Sequence, residues 1–169
     1  MTKLIAFLLA AFALSSCTYA FEKNIRDSAE VDIPFTSVQS SIERDTGAVF
    51  IWGGVIVNSV FTGSGNFMEV VQTPVDKYGK IVNTHQSEGR FLVYSPSKLS
   101  PEDYRIGRLI SVAGFLIRGA EAEVSGRPYT YPLLEAINIS LWEDMEGEIP
   151  SAYFPPDTES IFPWTNPKR

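Results

Sequence analysis

An all-β fold follows from three observations. Residues 49–142 hold five runs rich in β-branched and aromatic side chains, separated by turn-forming clusters. A single helix-start signal lies between the third run and the fourth. Glycines interrupt the runs at Gly53, Gly54 and Gly114, where the strands of a small closed barrel must coil.

Taken in order, residues 49–57 (Val-Phe-Ile-Trp-Gly-Gly-Val-Ile-Val) read as a long strand with a bulge or bend at the paired glycine. Thr62-Gly63-Ser64-Gly65-Asn66 is a turn cluster, and residues 67–73 return as the second strand of a hairpin. Pro74 cannot donate to a ladder, and Asp76-Lys77-Tyr78-Gly79 reads as a further turn. Residues 90–94 form the third strand. Ser100, Pro101 and Asp103 suit the N-cap, first and third positions of a helix, but Gly107 limits it to about one turn. Residues 109–117 make the fourth strand, 119–126 a hairpin carrying Glu121 and Glu123, and 129–142 the fifth strand. Alternation there places Ile137, Ile139 and Leu141 on one face and Ala136, Asn138 and Ser140 on the other. Five strands with their helical signal between the third and fourth match the small OB-like Greek-key barrel. A β-sandwich is the alternative.

The ends of the chain differ from this domain. Lys3 precedes an apolar run at residues 4–14, the positive and hydrophobic regions of a secretion signal. The run is well short of the roughly 20 residues that span a bilayer. Leu14-Ser15-Ser16-Cys17 resembles the bacterial lipobox, in which the cysteine is alkylated with diacylglycerol and becomes the first mature residue. A cut after Ala20, giving a soluble protein without cysteine, is the competing reading. The expected organisation is a signal peptide at 1–16, a lipidated tether at 17–32, the barrel domain at 33–142 and an acidic, proline-rich tail at 143–169. Residues 34–42 fit either a short helical turn or an arm packed on the domain. The tail's Tyr153, Phe154, Phe162 and Trp164 suit a flexible segment or an extended arm laid on the barrel.

Composition limits the chemistry. Removal of residues 1–16, which include Lys3 and no acid, moves the formal charge of −6 to −7. Such a chain gains nothing from counterion release on nucleic acid. One cysteine cannot form an internal disulfide, and once acylated it leaves no thiol for catalysis or metal. His85 is the sole histidine, and no Gly-x-Ser-x-Gly elbow accompanies it. It reads as a loop residue rather than a catalytic base. One histidine is too few for zinc, and no calcium loop is present. Neither catalytic residues, metal nor cofactor is expected. Glu121 and Glu123 could form a glycosidase pair, but read as a solvated strand edge.

The candidates for a ligand or partner surface are Trp52, Tyr129, Tyr131 and Arg90. Aromatics on a small barrel either stack on ligands or fill the core. Arg90, Arg105 and Arg108 either pair with Glu69, Glu88, Glu102 or Asp103 or mark an anion-binding patch.

Five blocks carry a family resemblance: Ile51-Trp52-Gly53-Gly54-Val55-Ile56; Glu69-Val70-Val71-Gln72-Thr73-Pro74-Val75-Asp76; Ser87-Glu88-Gly89-Arg90-Phe91-Leu92; the run from Tyr104 through Arg105-Ile106-Gly107-Arg108-Leu109 to Gly114; and Tyr129-Thr130-Tyr131-Pro132-Leu133-Leu134. In this order the chain resembles the Slp family of starvation-inducible outer-membrane lipoproteins. The resemblance implies a periplasm-facing lipoprotein held in the outer membrane by acyl chains on Cys17, with no established enzymatic activity. Thr18 agrees with outer-membrane sorting. A non-catalytic interaction module linked to starvation or stress is the function expected, with envelope proteins as possible partners. A periplasmic protein binding a small ligand, lipid or glycan is the alternative. The tail departs from the family pattern.

Overall fold

The computed structural model describes residues 19–124, 127–142 and 149–154. The β-branched run after Gly47 forms β1 (Val49–Thr62) and turns at Gly63-Ser64 into β2 (Gly65–Thr73). The Thr62 hydroxyl closes that turn by donating to the Gly65 carbonyl at 2.6 Å. β3 (Arg90–Ser95), β4 (Leu109–Val124) and β5 (Arg127–Leu141) complete a closed barrel in the order β1-β2-β3-β5-β4. Neighbours are antiparallel except β3 and β5, which run parallel from Leu92↔Leu133 to Tyr94↔Glu135. This is the five-stranded Greek-key barrel that the sequence predicts.

Two glycines allow the strands to approach. A Cβ on Gly54 would collide with the Val71 carbonyl oxygen, and one on Gly114 would lie 2.6 Å from the Glu135 carbonyl oxygen. The bulge in β1 lies at Val57, between the Ile56 and Asn58 pairs, rather than at Gly53-Gly54. A second irregularity overturns the alternation expected for β5. Ala113 pairs with Asn138 and Gly114 with Ala136, leaving Ile137 as the extra residue. Ala136, Ile139 and Leu141 therefore pack against the core, while Ile137 is 42% exposed.

The interior is filled. Phe50, Trp52, Ile56, Met68, Val70, Phe91, Val93, Ile110, Val112, Leu116 and Leu134 form one buried cluster. Helical turns close one end of it. α2 (Phe35–Ser40) and α3 (Ile42–Asp45), which follow α1 (Lys23–Ser28), insert Phe35, Val38 and Ile42 into that cluster. Their spacing of three and four residues places these side chains on one helical face. Residues 34–42 are thus both helical and packed on the barrel.

The signal at Ser100 gives one turn, with the Asp103 and Tyr104 amides donating to the Ser100 carbonyl, each at 3.1 Å, and no helix. Leu99 and Tyr104 from this loop pack on the core.

Residues 19–32, expected as a tether, are laid on the barrel. The Ala20 amide donates to the Tyr78 carbonyl at 3.3 Å, and the Ser140 hydroxyl donates to the Ala20 carbonyl. Phe21 is buried, and Ala29 bridges Val49 in parallel. Among the tail residues, Ile149, Tyr153 and Phe154 pack with Trp142 on Val55, Ile81 and Leu109. The arm reading therefore holds for residues 149–154, whose Ser151–Tyr153 form a 3-10 turn. Residues 143–148 and 155–169 lie outside the described residues.

Candidate functional site

The four candidate surface residues separate into two environments. Trp52 points into the barrel, stacked on Phe50 at 5.1 Å and edge-on to Phe35 at 4.9 Å and Phe91 at 5.2 Å. With 6% of its surface exposed it is a core residue, which removes it from any ligand platform. Its indole supplies the apolar bulk on which the Phe35 cap rests.

Tyr129, Tyr131 and Arg90 come together around Glu69. Alternation along β2 and β3 turns Met68, Val70, Phe91 and Val93 inward, so Glu69 and Arg90 project from the outer side of these strands. There the extended β4–β5 hairpin brings Ala120, Tyr131 and Leu133 against Leu92. The Tyr131 hydroxyl and Arg90 Nη1 each donate to Glu69 Oε1 at 2.8 Å. Arg90 Nη2 donates to the Tyr153 carbonyl at 3.0 Å. The Arg90 amide donates to the Tyr129 hydroxyl at 2.7 Å, which donates back to the Arg90 carbonyl at 3.2 Å. The two tyrosine rings meet edge to face at 4.6 Å.

Tyr131 is fully buried, and Glu69 is 2% exposed. Burial first, and then the charge and hydrogen bond of Glu69, push the Tyr131 phenol far above the usual tyrosine range. The phenol is therefore held in its protonated form as a donor to Glu69. The cluster clamps β2, β3, β5 and the C-terminal arm together, so three of the four candidates have a structural use in common.

Glu69 is the member that strand pattern alone undervalues. Its signal was the nearby positive charge of Arg90, since a buried carboxylate requires a partner. Arg105 Nη1 instead donates to the Glu102 backbone carbonyl at 3.2 Å.

The other chemical candidates lie apart. His85 is exposed in a turn in which its amide donates to Asn83 Oδ1 at 2.8 Å. Glu121 and Glu123 sit at the far end of β4 opposite Thr130 and Pro128. With Tyr129 they border an open recess of about 390 Å³ outside the barrel interior. Among the described residues no three His, Cys, Asp or Glu side chains converge as a metal site. No helix among them is long and apolar enough to cross a membrane. Cys17, with Leu14, Ser15 and Ser16, lies outside the described residues.

Comparison with known proteins places this barrel. Residues 14–169 match the family model described as the Outer membrane lipoprotein Slp family. An uncharacterised protein of Haemophilus influenzae (strain Rd) is 33% identical over 91 residues, covering 53% of this chain and 49% of that protein. The alignment thus spans about half the length of that relative. The protein named Outer membrane protein Slp of Escherichia coli K12 is 24% identical over 144 residues, covering 84% of this chain and 76% of its own length. With the family match covering nearly all of its length, the chain belongs to the outer membrane lipoprotein Slp family.

Proposed function

We infer that the protein is a non-catalytic envelope lipoprotein, held to the outer membrane by acyl chains on Cys17 and exposing its barrel to the periplasm as an interaction module. The observation that carries this reading is the family match, whose first residues take in Leu14-Ser15-Ser16-Cys17. Two or more acyl chains hold a protein stably to a membrane, whereas one holds it only marginally. The family resemblance extends the proposal to a role in starvation or stress.

The barrel supports a non-catalytic role. Trp52 and Tyr131, the aromatics that would have lined a ligand-binding mouth, fill packed interiors. Glu69 and Arg90 are engaged with each other and with Tyr131 and Tyr153. What remains for recognition is the outer surface.

Mass spectrometry of the mature N-terminus tests the anchor. The wild type should begin at an acylated Cys17 and a Cys17→Ala strain should not produce that species. A free N-terminus at Phe21 would overturn the reading. Detergent-solubilised membranes test the module: recurrent co-purification of defined envelope proteins is expected, and recovery of the protein alone under mild conditions counts against it.

A further inference from the structure

We propose that Arg26, cradled by Tyr19 and Tyr78, binds lipid phosphate headgroups and seats the barrel on the membrane with its β1–β4–β5 outer face toward the bilayer. The proposal rests on acylation of Cys17 and adds an orientation to it.

Chain length sets the first constraint. Ala20 is three residue steps from Cys17, a reach of at most about 11 Å when fully extended. Ala20 is fixed to the barrel by its bonds to Tyr78 and Ser140. A headgroup layer is itself about 5–7 Å deep. With Cys17 at that layer, the barrel cannot swing freely on a long tether, and the surface around Ala20 is the part that meets lipid.

The side chains at that surface have the matching chemistry. The Arg26 guanidinium lies 4.3 Å from the centre of the Tyr19 ring and 6.0 Å from that of Tyr78, and the two rings meet edge to face at 5.0 Å. Arg26 Nε is buried and has no hydrogen-bond partner among the described residues, so only the terminal nitrogens of the guanidinium can meet a ligand. A planar guanidinium held by aromatic faces, with no carboxylate paired to it among the described residues, is suited to a phosphate, which its terminal N–H donors can meet. Tyrosine also favours the membrane–water boundary, where its ring and hydroxyl meet different surroundings.

Cations and acids are interspersed here: residues 19–32 and 76–80 hold Lys23, Arg26, Lys77 and Lys80 beside Glu22, Asp27, Glu30, Asp32 and Asp76. Lys23 pairs with Asp27, and Asp76 Oδ1 is occupied by the amides of Tyr78 and Lys80. Lys77 lies over the Tyr78 ring at 4.9 Å. Two large apolar side chains, Phe115 and Ile137, are 46% and 42% exposed on the outer side of β4 and β5, the side from which Ser140 holds Ala20.

The test uses the full-length, acylated protein in vesicles of phosphatidylethanolamine and phosphatidylglycerol. Nitroxide labels are placed through Asn24→Cys and Asn138→Cys on the proposed face. Glu88→Cys and Lys98→Cys, which flank β3 across the barrel, are the controls. On transfer from detergent to vesicles, labels at 24 and 138 should lose collisions with a water-soluble relaxant while those at 88 and 98 keep them. Arg26→Gln should weaken this protection while the protein still floats with the vesicles. A floating protein whose four labels remain equally accessible overturns the orientation alone, and unchanged protection in Arg26→Gln overturns the role of Arg26. A protein that does not float overturns the anchor and the orientation together.

Discussion

Tyr131 and Arg90 donate to the same oxygen of Glu69, each at 2.8 Å, from different strands. Glu69 is 2% exposed, so loss of either donor leaves its buried carboxylate less well compensated. Tyr131→Phe removes one donor and leaves the ring packing intact. It should cost about 1–3 kcal/mol. Urea unfolding of Tyr131→Phe, Arg90→Gln and the double variant should show coupling above about 0.5 kcal/mol, because the two donors act on one acceptor.

The same phenol makes stability depend on alkaline pH. Its proton is retained in the folded protein and released more easily from the unfolded chain, because burial and the Glu69 charge oppose phenolate formation. This contribution is fully present below the free tyrosine value of about 10 and is lost as pH rises past it. Burial raises Tyr104 and Tyr153 in the same direction. Urea midpoints should therefore fall above about pH 10, and Tyr131→Phe should make the fall shallower.

Trp52 separates a core residue from a recognition residue. Its ring contacts Phe35, Phe50 and Phe91, so Trp52→Ala should cost about 3–5 kcal/mol. A surface aromatic would change stability by no more than about 0.5 kcal/mol. Thermal unfolding of the variant decides between these values, and a near-neutral result would contradict the packing.

The strands were legible because β-branched and aromatic runs between turn clusters have few other uses. The β5 face was not, since the extra residue at Ile137 is set by pairing with β4, where Ala113 meets Asn138 and Gly114 meets Ala136. Nothing local to residues 136–141 marks that bulge. The docking of residues 19–32 was also obscure. It depends on Phe21 alone being buried, on the Ala20 backbone bonding to the Tyr78 carbonyl and the Ser140 hydroxyl, and on the bridge to Val49, none of which produces a hydrophobic period. At the cluster around Glu69 the sequence showed the charges but not their company. Tyr131 joins Glu69 because β5 lies parallel to β3, a long-range pairing.

The C-terminal arm provides the last prediction. Ile149, Tyr153 and Phe154 pack with Val55, Ile81 and Leu109 on the outside of the barrel, and the Tyr153 carbonyl receives Arg90 Nη2. Fully burying one side chain of the size of Val55, Ile81 or Leu109 is worth about 1.5–3 kcal/mol, and the unfolded chain already hides part of that surface. A chain ending at Trp142 should therefore lose about 2–5 kcal/mol relative to one ending at Phe154, which keeps the arm. Arg90 would also lose an acceptor and depend on Glu69 alone among its side-chain bonds. Urea midpoints of the two truncations, read beside their rates of proteolysis, test this. A difference below about 0.5 kcal/mol would mean that the arm covers these residues without stabilising the barrel.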